Sequence, residues 1–95
     1  MSGALPSARK KARHLLVQAL YQWQLADADI GAIEAEFHVD NNMSKVDTSY
    51  FRELLHGIPR QLAAIDASYE HLLDRKIGDL DPVSQAILRL GGYEL

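Results

Sequence analysis

The sequence predicts an all-α domain, a small bundle of about five helices. Apolar residues recur at intervals of three and four in several segments, as they do along one face of an α-helix. No segment alternates between apolar and polar residues with the period of two that a half-buried strand shows. Asp residues precede most of the periodic segments, where a carboxylate accepts hydrogen bonds from the first turn of a helix.

Residues 7–25 predict the first helix, with Ser7 as its N-cap and Pro6 discouraging an earlier start. The flanking residues 1–6 are expected to be flexible. One face of this helix is apolar and should lie in the core, including Ala8, Ala12, Leu15, Leu16, Ala19, Leu20 and Trp23. A second stripe lies nearly opposite and changes from basic to apolar along the helix: Lys10, His14, Val17 and Tyr21. Val17 and Tyr21 either contact another protein or fill a second part of the core, and burial is favoured for Val17.

The middle of the chain predicts two more helices. The second spans Ile30 to about His38 with Asp29 as its cap, and residues 39–46 lack any period and predict a loop. Asp47 caps the third helix, in which Phe51 begins a long apolar series. Because an interior proline removes one backbone hydrogen bond and crowds the carbonyl four residues back, Pro59 predicts a kink or break near residues 56–58.

The last third of the chain predicts two short helices. Asp66 caps the first, which has Tyr69, Leu72 and Leu73 on its apolar face, ends near Lys76 and stops at Gly78. The pair Asp81-Pro82 starts the final helix, because a capping carboxylate followed by proline suits a first turn. The uncovered apolar residues of this helix indicate either a missing C-terminal portion or a homodimer that pairs through Ile87, Leu90 and Tyr93.

Composition limits the function classes. Ninety-five residues suffice for one domain, and the absence of cysteine excludes disulfides and thiolate metal sites and favours a reducing cytoplasm. No apolar run approaches the ~20 residues of a membrane span, and the N-terminus does not resemble a signal peptide. The net charge is −3, yet residues 1–26 hold four Lys and Arg and no acid. A basic arm on an acidic body predicts a localised contact with a polyanion.

Three stretches carry a resemblance to a known family: ARKKARHLLVQALYQWQL at 8–25, VDTSYFRELLHGI at 46–58 and DPVSQAILRLGGYEL at 81–95. In this order they resemble the NusB family of bacterial transcription antitermination factors. The resemblance implies two small helical subdomains with the first helix between them, and this chain is expected to lack the C-terminal helices of the second. It also implies binding to the boxA RNA of ribosomal RNA operons together with the ribosomal protein NusE, within an elongation complex that holds other Nus factors.

The candidate site residues follow from the basic arm and from this resemblance. The RNA-binding candidates are Arg9, Lys10, Lys11, Arg13 and His14, since guanidinium groups fork onto phosphates and ammonium groups act as point charges. On composition alone, such a run is more often a solvated helix end. The candidates for the contact with NusE are Tyr21 and Ser84, and Ser84 stands where the family usually has an acidic residue.

No enzymatic function is predicted. The sequence shows neither a nucleophile–base pattern nor a glycine-rich phosphate loop, and its other histidines lack the spacing of a metal site. Neither a metal nor a cofactor is therefore expected. The alternative hypothesis places the chain in a different class: the NusB-like N-terminal RNA-binding domain of a ribosomal RNA cytosine methyltransferase.

Overall fold

A computed structural model describes residues 6–70, 72 and 77–94. Five α-helices account for most of these residues, and two single turns of 3₁₀ helix, Met43–Lys45 and Ile77–Asp79, lie between them. The described residues contain no strand, and the prediction of an all-α fold is confirmed. The helices are α1 Pro6–Ala26, α2 Ile30–Asp40, α3 Thr48–Arg60, α4 Leu62–Glu70 and α5 Pro82–Glu94.

Helix α1 is the centre of the bundle and packs against α2, α3 and α5. Five of its predicted core residues are buried: Ala12, Leu15, Leu16, Ala19 and Leu20. They meet the buried faces of the neighbouring helices, which consist of Ile33 and Phe37 on α2, Phe51, Leu54, Leu55 and Ile58 on α3, and Ala86 and Leu90 on α5. The predicted apolar face of α3 is thereby confirmed, whereas on α5 the apolar residues Val83 and Ile87 are exposed.

Two predictions for α1 are wrong in detail. Trp23 is half-buried and packs on the edge of the core rather than within it. Ser7 is not an N-cap, because Pro6 already belongs to the helix. Proline is well tolerated in a first turn, where its missing N–H would have no partner in the helix. Residues 1–5 lie outside the described part, and the expected flexibility of residues 1–6 stays a prediction.

The second and third helices begin as predicted. The Asp29 side chain accepts a hydrogen bond from the Ala32 N–H at 3.0 Å, and Asp47 Oδ1 accepts one from the Tyr50 N–H at 3.1 Å. Helix α2 is longer than expected and ends at Asp40. The predicted loop over 39–46 is thus shorter and contains the 3₁₀ turn Met43–Lys45.

No break occurs at residues 56–58, where Pro59 predicts a kink or a break. Helix α3 continues through Pro59 and ends at Arg60, where the N–H of Gln61 donates to the carbonyl oxygens of Gly57 and Ile58 at 3.1 and 3.2 Å. Pro59 lacks the N–H that would donate to the Leu55 carbonyl, and α3 ends one residue after it. Asp66 is not a cap either, since it lies inside α4.

The predicted end of the fourth helix falls largely outside the described residues. Helix α4 is described to Glu70, and neither Leu73 nor Lys76 is described. Leu72, which was expected on an apolar face, is exposed. Gly78 lies within the 3₁₀ turn Ile77–Asp79 rather than directly at a helix stop.

Helix α5 starts at Pro82 as predicted, with Asp81 accepting a hydrogen bond from the Ser84 N–H at 3.0 Å. It lies very close to α4: a Cβ atom at Gly92 would stand 2.9 Å from atoms of Ile65 and Tyr69. Since only glycine lacks that atom, Gly92 permits this approach.

Two of the three side chains in the hypothesis of a homodimer through α5 already pack within the chain itself. Leu90 is buried and Tyr93 packs against the core of its own chain. Ile87 alone of the three is largely exposed.

Candidate nucleic-acid interface

The five predicted RNA-binding residues all lie on the first turns of α1, but they do not share one surface. Residues four apart lie on the same side of an α-helix, which separates Arg9 and Arg13 from Lys10 and His14. Lys11 lies further round the helix. The basic run in the sequence therefore becomes two neighbouring groups of side chains in the structure.

The two arginines face α3 and the end of α5. Arg13 Nε donates a hydrogen bond to Glu94 Oε2 at 2.6 Å, and the Tyr50 hydroxyl donates to the same carboxylate. The Arg9 guanidinium lies over the Tyr50 ring, 4.2 Å from its centroid, and Arg13 lies 5.7 Å from it. Such cation–π contacts are attractive because the ring face is electronegative.

Asp47 completes this arginine cluster, which we define as Arg9, Arg13, Asp47, Tyr50 and Glu94. Its backbone N–H donates to the carbonyl oxygen of Ala8 at 3.1 Å and so fixes the start of α3 beside the first turns of α1. Its carboxylate lies 3.6 Å from a terminal nitrogen of Arg9. The positive charge of each arginine is thus already opposed by a carboxylate of the same chain.

The cluster perturbs the ionisation of two of its members. The hydrogen bond to Glu94 raises the pKa of Arg13 above its usual value, so the guanidinium remains charged. Burial and the hydrogen bond to Glu94 raise the pKa of Tyr50, so the phenol remains neutral.

The other group lines a cleft between the start of α1 and the connection that follows α2. We call it the basic cleft; it has a volume of about 520 Å³ and is lined by Ser7, Lys10, Lys11, His14, Leu15, Asn41, Asn42 and Val46. Lys10 and Lys11 are exposed, and within the described part of the chain neither forms an ion pair. His14 Nε2 lies 3.0 Å from Gln18 Nε2. The basic cleft therefore offers positive charge that no described carboxylate opposes.

The predicted partner-binding residues lie at the opposite end of the α1–α5 pair. Contacts of Arg13 with Glu94 and of Gln24 with the Pro82 carbonyl, at 2.8 Å, show that the two helices run antiparallel. Tyr21 and Ser84 therefore belong to the same end of the pair. Tyr21 is 38% exposed, and large exposed apolar side chains lie near it and near Ser84 in sequence: Leu25 on α1, and Val83 and Ile87 on α5. We call Tyr21, Leu25, Val83, Ser84 and Ile87 the apolar end.

Ser84 itself serves the N-terminus of α5. Its N–H and its hydroxyl both donate to the Asp81 carboxylate, at 3.0 and 2.7 Å. These bonds favour the charged carboxylate and lower the pKa of Asp81. The predicted contact residue thus also holds the cap of the helix on which it lies.

A buried arginine, which the sequence did not single out, joins three helices near this end of the α1–α5 pair. Arg89 is 8% exposed and donates to both oxygens of Asp66 on α4, at 3.1 and 2.9 Å. It also donates to Gln24 Oε1 on α1 at 2.9 Å. Arg89 therefore joins α1, α4 and α5 through side chains distant in sequence, which no local pattern reveals.

The described residues hold no group of three or more His, Cys, Asp or Glu side chains that could bind a metal ion. None of the described helices combines the length and the apolar character that crossing a lipid bilayer requires.

A helical bundle with an unopposed basic cleft at one end of its central helix and exposed apolar side chains at the other has the features of a binding domain with two surfaces. Comparison with known proteins identifies which domain this is. The chain belongs to the NusB family, whose model matches residues 10–95. The resemblance inferred from the sequence is confirmed.

The relatives are bacterial proteins named transcription antitermination protein NusB. The one from Alcanivorax borkumensis is 50% identical over 90 residues, which cover 95% of this chain and 60% of the relative. Those from Idiomarina loihiensis and Marinobacter nauticus are 49% and 53% identical, over 95% and 92% of this chain and 65% and 55% of the relatives. The chain thus spans roughly three fifths of the length of these relatives. None of the three is named as an enzyme or a methyltransferase.

Proposed function

We propose that this chain is an RNA-binding transcription antitermination factor, without enzymatic activity or a cofactor. In this proposal it acts in the cytoplasm and binds the boxA RNA of ribosomal RNA operons together with the ribosomal protein NusE and the other Nus factors of the elongation complex. The observation that carries the proposal is the basic cleft on the first helix of a NusB-family domain. The name shared by the relatives supports the same function and favours it over that of a methyltransferase domain.

The charge distribution of α1 supports the RNA contact. Lys10 and Lys11 present ammonium groups at a cleft in which the described residues place no carboxylate. RNA phosphates can occupy this position and release their counterions, which favours binding at low salt. Arg9 and Arg13 flank the cleft and remain part of the proposed interface, although Asp47 and Glu94 offset their charges.

The apolar end supports the protein contact. Tyr21 and Ile87 expose apolar surface on the two helices that pack most extensively on each other, and aromatic side chains are enriched at protein interfaces. Because the apolar end and the basic cleft lie at opposite ends of α1, RNA and NusE can bind at the same time.

Fluorescence anisotropy with a labelled boxA RNA tests the proposal. The RNA should bind more tightly than a scrambled control, and NusE should tighten the binding further. Tyr21→Ala should abolish the effect of NusE and leave binding of RNA alone unchanged. Val39→Ala is the matched control, because Val39 is also an exposed apolar side chain but lies on α2. Equal affinity for both RNAs, with no effect of NusE, would refute the proposal.

A further inference from the structure

Two asparagines on one wall of the basic cleft have no part in the function proposed so far. Asn41 and Asn42 follow α2 directly and line the cleft opposite the basic side chains of α1. In each side-chain amide, one of the two polar atoms, the nitrogen or the oxygen, forms a hydrogen bond with the backbone. That bond determines which of the two atoms has no partner within the described residues.

Asn41 retains a hydrogen-bond acceptor. Its backbone N–H and its side-chain Nδ2 both donate to the carbonyl oxygen of Phe37, each at 3.1 Å. This arrangement terminates α2 and uses one of the two N–H donors of the side-chain amide. The Oδ1 atom of Asn41 makes no hydrogen bond within the described residues.

Asn42 retains the complementary group. Its Oδ1 atom accepts from the N–H of Ser44 at 3.0 Å and caps the 3₁₀ turn Met43–Lys45. The Nδ2 group of Asn42 makes no hydrogen bond within the described residues. One acceptor and one donor thus belong to consecutive residues on the same wall.

The rest of the basic cleft fits a flat ring with charged neighbours. Leu15 and Val46 supply apolar surface, while Lys10 and Lys11 supply positive charge. The volume of about 520 Å³ lies within the range of small-molecule sites. A phosphate group alone would use the lysines but neither the apolar surface nor the acceptor of Asn41. A nucleobase uses both, because its edge carries donors and acceptors side by side and its face is apolar.

We propose that the basic cleft binds one unstacked base of a single-stranded RNA. The Nδ2 group of Asn42 donates to the edge of the base and Oδ1 of Asn41 accepts from it. Lys10 and Lys11 bind the adjacent phosphates. This inference rests on the proposed function and adds to it a source of base specificity, since phosphate contacts alone do not distinguish sequences.

The test combines RNAs that each lack one base with a variant that removes one amide. A series of boxA RNAs carries a single abasic site, moved by one nucleotide from one RNA to the next. The wild-type protein should lose affinity by about 5-fold to 100-fold at the position whose base occupies the cleft, a range typical of one base contact. Asn42→Ser should cause a loss in that range with the intact RNA, because serine still caps the 3₁₀ turn but lacks the amide donor.

The two losses should not add. If Asn42 contacts the missing base, the variant and the abasic RNA together should lose little more than either one alone. Gln61→Ser is the matched control, because it removes an exposed amide at the junction of α3 and α4 and should leave the abasic profile unchanged. Thermal unfolding should show the same midpoint for Asn42→Ser and the wild type.

The outcomes separate this inference from the proposed function. Failure of the wild type to bind boxA RNA would overturn both. Tight binding with no sensitivity to any abasic site would overturn the base pocket and leave the proposed function standing. Fully additive losses would also overturn the pocket, and so would displacement of the RNA by a polyglutamate peptide as effectively as by unlabelled RNA.

Discussion

The salt dependence of RNA binding should distinguish the two groups of cations on α1. Each phosphate neutralised on a single strand contributes a slope of about −0.7 to a plot of log affinity against log salt concentration. Two lysines therefore predict a slope of about −1.4, and four cations predict about −2.8. Between about 50 and 200 mM salt, these slopes correspond to losses of about 7-fold and about 50-fold. Because carboxylates already oppose Arg9 and Arg13, the smaller slope is expected.

Two double variants that remove the same formal charge provide the comparison. Lys10→Gln with Lys11→Gln should bring the slope close to zero, whereas Arg9→Gln with Arg13→Gln should leave most of it. The arginine variant should instead lose about 1–3 kcal/mol of unfolding free energy, since it removes two partly exposed ion pairs and two cation–π contacts, each worth less than about 1 kcal/mol. Anisotropy titrations at four salt concentrations measure the slopes. A wild-type slope near −2.8 that both variants reduce equally would refute the reasoning, because the arginines would then have left Asp47 and Glu94 for the RNA.

Three further predictions concern stability, followed by circular dichroism. Gly91→Ala should stabilise the protein by up to about 1 kcal/mol through helix propensity, since its Cβ atom would meet only a hydroxyl at 3.7 Å. Gly92→Ala should destabilise it by about 1–3 kcal/mol, because atoms of α4 lie 2.9 Å from the added Cβ atom. Equal shifts of the two variants would contradict this. Arg89→Met should lower the free energy of unfolding in urea by roughly 2–3 kcal/mol. This is less than the loss of one partner costs in a fully buried ion pair, because the Asp66 side chain is 27% exposed. An unchanged urea midpoint would show that the pair does not stabilise the fold. The pKa of Asp81 is lowered from 3.8 in the folded protein. The contribution of the Asp81 carboxylate to the free energy of unfolding should therefore be complete above pH 3.8 and lost as the pH falls through the pKa of the folded state. Asp81→Asn should not show this loss.

Local patterns were sufficient for the faces and starts of most helices. The periodicity of α1 and of the apolar series that begins at Phe51 predicts buried faces, and Leu16, Leu20 and Phe51 are buried, because one face of each helix packs on the core along its length. The caps Asp29, Asp47 and Asp81 were also predictable. A cap depends on a side chain and a backbone N–H only three residues apart, so the sequence contains the whole interaction.

The remaining features depend on contacts between distant residues. Arg13 and Glu94 are 81 positions apart, and no periodic pattern pairs them. The local sequence predicts Asp66 as a cap, because its actual partner, Arg89, lies on another helix and 23 positions away. Asn41 and Asn42 carried only the signal of a turn. Their hydrogen bonds to Phe37 and Ser44 show which amide atoms remain available.

The arginine cluster changes what the basic arm can contribute to RNA binding. The sequence assigns four positive charges to α1, but Asp47 and Glu94 oppose two of them. The rest of the chain, from residue 27 on, carries thirteen acidic residues against six basic ones and repels a polyanion. Two lysines cannot supply the affinity of a larger basic surface, because affinity from counterion release grows with the number of phosphates neutralised. In the proposed function, the base pocket and NusE must therefore supply what charge does not. Binding by the isolated chain should accordingly be weak and should gain more from NusE than from a reduction in salt.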